Sequence, residues 1–421
     1  MSLGLDAASV SALADEPIDW RFKGLPASWW GLTPAQICHR SPDLFDDGPV
    51  SPVCVLDASA LAHNLSTMAR WCRKHRVELA PHGKTHMAPQ LIERQLGAGA
   101  TAITAATISQ VRTFRAFGVR QVMLANELVD PAGLRWLVGE MARDPLFELV
   151  CWVDSIRGVE LMSTALSTAG ATRPVDVCVE LGMPGGRTGC RGAAASDAVA
   201  AAAAASPQLR LVGVAGYEAA LGHDVRPDAL ARVGGYLAEL RATAVRLAGL
   251  FESEHVIVTA GGSTYFDEVA DALGGEWPQG MSVRTVLRSG CYLTHDDGLY
   301  RRTSPLARTG LTGSSHLRPA LSVWAQVISR PEPDLALVGM GRRDVSFDQD
   351  LPIPYGLSGQ VTKLNDQHAY LRLGPEDRDR VEVGTWLQFG VSHPCTVFDK
   401  WAMIPMLDHD NRVVELIRTF F

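Results

Sequence analysis

The chain has 421 residues, of which 47% are hydrophobic and 20% are charged, and its formal net charge is −7. This length exceeds one ordinary hydrophobic core and indicates two domains of a well-packed globular protein. The charge includes no basic block, which argues against a nucleic-acid partner because phosphate binding needs a concentrated positive surface. Apolar runs stay well short of the roughly 20 residues that span a bilayer, so we expect no membrane partner.

The eight cysteines have no CxxC spacing, and several lie inside apolar runs typical of buried strands. Such residues are most simply explained as reduced, buried thiols. The N-terminus lacks the basic and long apolar regions of a secretory signal. The sequence therefore predicts a cytoplasmic protein.

Residues 1–50 show little periodicity and contain three of the ten tryptophans, Trp20, Trp29 and Trp30. We interpret them as an irregular N-terminal arm whose placement the sequence does not determine.

From residue 51 to 280, short apolar segments alternate with helical patterns. The eight expected strands are Val53–Leu56, Glu78–Ala80, Ala102–Ala105, Gln121–Ala125, Phe147–Val153, Val175–Leu181, Leu209–Ala215 and His255–Thr259. Strands of this kind are typical of a parallel sheet buried on both faces. Eight such units in about 220 residues predict a (β/α)8 TIM-like barrel, with a doubly wound sheet as the alternative.

After residue 280 the strand-like segments follow one another without long helices. They are Val283–Leu287, Leu321–Ser329, Leu335–Val338, Gln360–Leu364, His368–Leu373, Trp386–Val391, Thr396–Pro405 and Val413–Ile417. The pattern predicts that residues 281–421 form an antiparallel β domain.

Lys84 follows the second expected strand, within the run from Pro81 to His86. The carboxyl ends of barrel strands are where such barrels do their chemistry. A lysine amine at this position can form a Schiff base with a carbonyl cofactor, although most lysines are solvated surface residues.

Two glycine-containing segments are candidates for binding a phosphate. Gly262, Ser263 and Thr264 follow the eighth expected strand, where backbone N–H groups at a helix start can bind an anion. Gly290 and Tyr292 are placed to complete such a cradle. The alternative for the first segment is an ordinary turn with a Ser or Thr helix cap.

Two further side chains follow expected barrel strands. Arg187 can face an acidic substrate or a cofactor ring, or it can form an ordinary ion pair with Glu180 or Asp176. Tyr217 can stack on a planar ligand or serve as a core aromatic residue.

His393 and Cys395 lie two residues apart on an expected extended segment of the β domain, so both project to one side. Imidazole and thiolate suit zinc, and two protein ligands leave positions open for water or substrate. The alternative is two unrelated residues, because a single H-x-C lacks the paired spacing of most zinc sites.

Taken in this order, the segments resemble the fold-type III pyridoxal-phosphate (PLP) enzymes, and among them the D-serine dehydratase and D-threonine aldolase family. The matching segments are Ser51-Pro52 through Asp57 to Asn64, Pro81 to His86, the R-x-G at Arg187, the Y-E at Tyr217, the G-G-S/T at Gly262, the G-x-Y at Gly290 and the H-x-C at His393. The resemblance runs from about residue 51 to the C-terminus. It implies an alanine-racemase-like barrel with a C-terminal β domain, and a homodimer.

The resemblance also implies residue roles. Lys84 would bind PLP as a Schiff base and act as the catalytic base, and Arg187 and Tyr217 would lie near the ring. The phosphate would be held by Gly262, Ser263, Thr264, Gly290 and Tyr292. His393 and Cys395 would bind zinc or another divalent metal.

In the family, H-x-C accompanies dehydration and H-x-D accompanies the aldolase. Cys395 therefore predicts a lyase that converts D-serine to pyruvate and ammonia, with metal-assisted loss of the β-hydroxyl group. The alternatives are retro-aldol cleavage of β-hydroxy D-amino acids and a non-catalytic PLP-binding protein. This chain departs from the pattern at Gly83, Met87 and Gln367, which leaves the choice of substrate open.

Overall fold

The computed structural model describes residues 4–308 and 316–421, and the chain divides into two compact units. Of the described residues, the barrel unit contains 4–6, Ala69–Lys84 and Gln95–Gly290. The β unit contains Ala7–Met68, Thr85–Arg94, 291–308 and 316–421.

The strands in chain order are β1 (Val53–Asp57), β2 (Glu78–Leu79), β3 (Ile103–Ala105), β4 (Gln121–Glu127), β5 (Glu148–Val153), β6 (Val175–Leu181), β7 (Leu209–Gly216), β8 (Val256–Ala260), β9 (Val283–Leu287), β10 (Leu321–Glu332), β11 (Leu335–Val338), β12 (Ile353–Pro354), β13 (Gln360–Leu364), β14 (Ala369–Arg372), β15 (Trp386–Gly390), β16 (Met403–Leu407) and β17 (Val413–Arg418).

The α-helices are α1 (Ala7–Ser11), α2 (Pro34–Arg40), α3 (Ala58–His75), α4 (Pro89–Gly97), α5 (Ile108–Ala116), α6 (Pro131–Arg143), α7 (Ile156–Thr168), α8 (Ala193–Ala204), α9 (Pro227–Arg246), α10 (Phe266–Leu273), α11 (Leu299–Thr303), α12 (Pro305–Arg308) and α13 (Cys395–Phe398). Within the described ranges, none of the helices is both long and apolar enough to cross a bilayer.

The barrel unit contains a curled sheet of eight parallel strands in the order β2-β9-β8-β7-β6-β5-β4-β3. Its two outer strands approach each other where the Thr104 N–H donates to Pro81 O, 2.9 Å away. Small and large side chains alternate in its buried interior, among them Ala80, Val150 and Trp152. The predicted TIM-like barrel is confirmed, and the doubly wound alternative is wrong.

One strand assignment at each end of the barrel is wrong. Val53–Leu56, predicted as the first barrel strand, lies in β1, which pairs instead with β10 and β16 in the β unit. Val283–Leu287, predicted for the β domain, lies between β2 and β8 in the barrel sheet. Both segments are short and apolar, and such a pattern specifies a buried strand without specifying its partner.

The β unit has a mixed, mostly antiparallel sheet in the order β13-β14-β11-β10-β1-β16-β17, with β15 also pairing β10 and β12. The pairing of β1 with β16 is parallel, and the other pairings in this sheet are antiparallel. The predicted C-terminal β domain is therefore confirmed in class, with one strand contributed from before the barrel.

The N-terminal arm packs on this second sheet. Ile18, Phe22, Leu25, Trp29, Ile37 and Leu44 form one buried cluster with Val53, Val55, Met403, Leu407, Val413 and Leu416. At the start of α2, the Thr33 hydroxyl accepts from Gln36 N–H, and Gln36 Oε1 accepts from Thr33 N–H, which forms a capping box. From Ala7 onward, the arm is thus a structural layer of the β unit.

Candidate active site

Lys84 lies in a 3-10 turn, Gly83–Thr85, shortly after β2, at the carboxyl end of a barrel strand. Its side chain is half-buried. The preceding Gly83 has a packing explanation, because a Cβ atom there would lie 2.5 Å from Phe114 Cζ and 3.0 Å from Ile103 Cγ2. Phe114 therefore fills the space that a branched residue before the lysine would occupy.

The carboxyl end of the barrel is positively charged around His82. The Nδ1 atom of His82 is buried and has no hydrogen-bond partner among the described residues. Burial lowers the pKa of His82 well below its ordinary value, and the charges of Lys84, Arg288 and Arg187 lower it further. Positive charges near a neutral imidazole favour the binding of an anion there.

Arg288 is a site residue that the sequence analysis did not identify. Its buried guanidinium donates to Thr259 Oγ1 and to Gly216 O, each at 2.6 Å. Burial lowers its pKa, while the Glu218 and Glu180 carboxylates oppose that shift. The residue directly follows β9, so correct assignment of that strand would have indicated it.

The glycine-rich loop after β8 is held by a carboxylate. Glu218, which is completely buried, accepts from the N–H groups of Gly261 (2.9 Å) and Gly262 (2.7 Å). Among the described residues, the next two N–H groups, of Ser263 and Thr264, have no acceptor. Two unpaired N–H groups before a helix fit a phosphate. The Gly262 N–H, which was also predicted to bind the phosphate, already donates to Glu218.

The second glycine segment lies beside the first. Ser289 Oγ donates to Gly261 O (3.2 Å) and to Gly262 O (3.1 Å), which fixes the backbone before Gly290 next to the loop. The Thr264 hydroxyl contacts His223 Nδ1 at 2.9 Å. The structure therefore brings together the loop residues and Gly290, and Tyr292 is buried two residues further along the chain.

Arg187 and Tyr217 contact each other, with the guanidinium carbon 4.3 Å from the ring centroid. Asp176 is not paired with Arg187, because it accepts two 2.7 Å hydrogen bonds from Arg210. The Glu180 Oε2 atom has no partner in the described part of the chain. The ordinary ion pair with Asp176 is thus excluded, and a cation–aromatic contact takes its place.

Three carboxylates lie at the ends of neighbouring barrel strands and were not predicted. Glu127 ends β4, Asp154 follows β5 and Glu180 lies near the end of β6. Burial and the neighbouring Glu180 and Asp154 charges raise the pKa of Glu127 to about 8. Both carboxylate oxygens of Glu127 are buried, and neither accepts a hydrogen bond from a donor among the described residues. A proton held between the Glu127 and Glu180 carboxylates provides that donor.

His393 and Cys395 have a different backbone from the one predicted. His393 adopts a left-handed conformation with φ of 60°, and Cys395 begins α13, a four-residue helix. The expectation of an extended segment, and of a strand from Thr396 to Pro405, is therefore wrong for these residues. Pro394, which fixes φ near −60°, favours the helix start instead.

A buried aspartate, Asp296, and an exposed one, Asp348, hold His393 in place. The imidazole Nδ1 donates to Asp348 at 2.5 Å, and Asp348 also accepts from Thr396 Oγ1 at 2.9 Å. Asp296, which is 1% exposed, accepts from the His393 backbone N–H at 2.9 Å. With Nδ1 occupied, Nε2 is the imidazole nitrogen that can bind a metal.

The charges around the imidazole and the thiol favour ionisation of both. Burial lowers the pKa of His393, but the Cys395 and Asp348 anions outweigh burial and raise it to about 9. Contact with the Cys291 thiol, 3.4 Å away, lowers the pKa of Cys395, and His393 and Thr85 add to this effect. Cys395 therefore favours the thiolate form, which is the form that binds metals.

The donor set fits a metal only partly. Within residues 4–308 and 316–421, no cluster of three or more His, Cys, Asp or Glu residues has the arrangement of a metal site. His393 and Cys395 supply one nitrogen and one sulfur, a combination that suits zinc. Two protein donors match an open site rather than a closed structural one.

Comparison with known families matches residues 56–269, about half of the chain, to the alanine racemase N-terminal domain. The chain belongs to this family. Residues 320–407 match a putative serine dehydratase domain. Together, the matches make the chain a fold-type III PLP enzyme of the D-serine dehydratase and D-threonine aldolase family, as the sequence motifs predicted.

Known proteins of related sequence match this chain over most of its length. A D-threonine aldolase of Arthrobacter sp is 28% identical over 352 residues, covering 83% of this chain and 86% of the relative. A 3-hydroxy-D-aspartate aldolase of Paracoccus denitrificans is 27% identical over 359 residues, with 83% and 87% covered. The crystal structure of D-threonine aldolase from Filomicrobium marinum has a TM-score of 0.75 at 26% identity, with 88% and 95% covered.

Proposed function

We propose that this chain is a PLP-dependent lyase that acts on β-hydroxy D-amino acids. The observation that supports this most is the half-buried Lys84 after β2, at the same end of the parallel sheet as the Ser263 and Thr264 N–H groups after β8. An amine and an anion-binding loop at one end of a barrel suit PLP, because the cofactor carries both an aldehyde and a phosphate.

In this proposal, the barrel residues bind and orient the cofactor. Lys84 Nζ holds the cofactor's aldehyde carbon, and the N–H groups of Ser263, Thr264 and Gly290 hold its phosphate. Glu218 has a positioning role, because it fixes the loop through Gly261 and Gly262. When bound, PLP supplies an electron sink for negative charge at the substrate Cα.

Lys84 Nζ also moves a proton in this proposal. With its amine free, Lys84 would be the base that accepts a proton from the substrate Cα in an elimination. The Arg187 guanidinium, stacked on Tyr217, orients the ring end of the cofactor.

The β-unit residues supply the metal donors. His393 Nε2 and the Cys395 thiolate would hold a divalent metal, which polarises the substrate β-hydroxyl oxygen as a Lewis acid. Asp348 and Asp296 fix the imidazole. The metal, its identity and the implied homodimer remain predictions.

Retro-aldol cleavage between Cα and Cβ is the better supported reaction. The named relatives that cover 83% of this chain are aldolases for D-threonine and 3-hydroxy-D-aspartate. Loss of the β-hydroxyl group, as in a D-serine dehydratase, is the second candidate, and Cys395 is the specific observation that favours it. A thiolate in place of a carboxylate makes the metal site softer.

Product analysis of the PLP-loaded enzyme separates the two reactions. With D-threonine, an aldolase forms glycine and acetaldehyde, whereas a dehydratase forms 2-oxobutanoate and ammonia. D-serine tests the dehydratase directly through pyruvate and ammonia, and L-threonine is the control for stereochemistry. Each assay is repeated after chelation. We expect glycine from D-threonine, lost on chelation.

Each other outcome has a definite meaning. Ammonia and a keto acid from either D-substrate assign the dehydratase. Turnover that survives chelation contradicts the metal's role and leaves the cofactor's role intact. A PLP absorbance band without turnover across a panel of β-hydroxy D-amino acids contradicts the lyase and supports a non-catalytic PLP-binding protein.

A further inference from the structure

We propose that Cys291 and Cys395 form an oxidation-sensitive dithiol, in which a hydroperoxide converts the two thiols into a disulfide. The formation of this bond depends only on the two side chains. Its consequence for metal binding rests on the proposed function, in which Cys395 is a metal donor.

The two sulfur atoms are already in contact. Cys291 Sγ lies 3.4 Å from Cys395 Sγ, although the residues are 104 positions apart in the chain. An S–S bond is about 2.05 Å long, so the sulfurs have to approach by little more than 1 Å. Leu299 and Tyr300 form one cluster with Cys291, and Cys395 packs against it.

The local backbone favours a small rearrangement at one of the two residues. Cys395 is the first residue of a four-residue helix that follows the left-handed His393, so it lies at the end of a short element. Cys291 begins a 3-10 turn. Neither residue lies in the middle of a sheet ladder, so a small sulfur displacement leaves strand pairing intact.

Exposure indicates which sulfur reacts first. Cys395 is half-buried, whereas Cys291 is 6% exposed. Cys54, Cys151 and Cys178 differ from both, because they are completely buried. A small oxidant therefore reaches Cys395, and Cys291 lies behind it as the resolving thiol.

The reaction balances with one peroxide. Cys395 sulfur attacks a peroxide oxygen and becomes a sulfenic acid, while the O–O bond breaks and one water or alcohol leaves. Cys291 sulfur then attacks Cys395 sulfur and expels the hydroxyl group as water. Two thiols lose two electrons and two protons, and the peroxide gains them. A dithiol reductant reverses the change by thiol–disulfide exchange.

The disulfide removes one of the two metal donors. A sulfur bonded to a second sulfur no longer carries the thiolate charge that binds a metal, so His393 alone remains. If the proposed function is correct, oxidation releases metal and stops turnover, and reduction restores both.

Thiol mapping tests the bond without reference to activity. The purified protein, with and without chelator, is treated with stoichiometric hydrogen peroxide, alkylated and digested for mass spectrometry. We expect a cross-linked peptide pair that joins Cys291 to Cys395 and disappears after dithiothreitol. Bound metal should protect the pair, so the chelated sample should react faster.

Two variants serve as controls. Cys38→Ser removes a thiol that is also half-buried but packs in the arm cluster, and it should leave the cross-link unchanged. Cys291→Ser should abolish the cross-link and leave Cys395 open to irreversible oxidation beyond the sulfenic acid. If Cys291→Ser does not fold, Cys291→Ala tests the same loss.

The outcomes separate this proposal from the proposed function. Alkylation of both thiols after peroxide, or over-oxidised Cys395 beside a free Cys291, overturns the dithiol. A cross-link that forms without any change in metal content supports the dithiol and contradicts the metal role of Cys395. A cross-link with reversible metal loss supports both.

Discussion

The candidate residues of the barrel unit and those of the β unit are positioned by the backbone in different ways. In the barrel unit, Lys84, Arg288 and the loop at Gly261 each follow a parallel strand, so the sheet topology brings them to one end. In the β unit, His393 has a positive φ and Cys395 begins a short helix. Their orientation depends on Asp348 and Asp296, which are 45 and 97 positions away from His393.

The barrel group is thus positioned by repeated architecture, and the β-unit group by individual hydrogen bonds. Single substitutions should therefore act differently in the two units. A change in the barrel group should remove one chemical role and leave the geometry of its neighbours intact. A change in an aspartate of the β unit should act through the residue that it holds.

The largest effect is expected for Lys84→Ala. Loss of the only amine assigned to the cofactor should abolish covalent attachment, and loss of a base alone costs about 10²–10⁴-fold in rate. The measurement is visible absorbance after gel filtration, together with kcat. The exposed Lys74→Ala, at the end of α3, is the matched control. A Lys84→Ala enzyme with ordinary turnover would contradict the assignment.

Asp348→Asn should act through His393 and spare the barrel. Without the carboxylate that accepts from Nδ1, metal affinity should fall about 10–100-fold, while the PLP absorbance stays unchanged. Titration of the chelated protein with zinc measures this, and excess zinc should restore turnover. The exposed Asp399→Asn is the control. Equal loss of PLP and metal would show that the aspartate supports the fold rather than the imidazole.

Gly83→Ala tests packing beneath the lysine. The added Cβ would lie 2.5 Å from Phe114 Cζ, and overpacking of this kind costs about 1–3 kcal/mol. Chemical denaturation gives the loss in the free energy of unfolding. Gly97→Ala, where the added Cβ meets nothing within 4 Å, should be far milder. Phe114→Leu should relieve much of the cost if the clash is its cause.

Glu127→Gln should have the smallest effect and one that depends on pH. The folded pKa of about 8 exceeds the ordinary 4.5. The contribution of protonated Glu127 to the free energy of unfolding is thus fully present below pH 4.5, and it is lost as the pH rises through 8. The variant should gain about 2–4 °C in Tm at pH 8 and little at pH 5. The exposed Glu148→Gln should show no such trend, and a uniform gain would argue against a held proton.

Much of this arrangement was predictable because strand periodicity and motif spacing are local properties. β2 through β8, Lys84 and the glycine loop all follow from them. The choice of a partner strand is not a local property, which explains why β1 and β9 were each predicted in the wrong sheet. Glu218, Arg288 and Asp348 were missed for the same reason, since each acts on atoms that are distant in sequence.

The three strand-end carboxylates are an intermediate case. Glu127 lies two residues after the fourth expected strand, Asp154 directly follows the fifth, and Glu180 is the penultimate residue of the sixth. Alignment of the strand ends in sequence would have placed them together. The raised pKa of Glu127 depends on burial, which the sequence pattern does not report.

The position of β1 has a consequence for biosynthesis. This strand lies between β10 and β16, yet the ribosome makes it before every barrel strand and makes both of its partners afterwards. Domains tend to fold as they emerge, with N-terminal ones first. Both edges of the apolar strand β1 therefore stay unpaired while the barrel is translated. We expect the nascent chain to bind chaperones until β10 and β16 have been made.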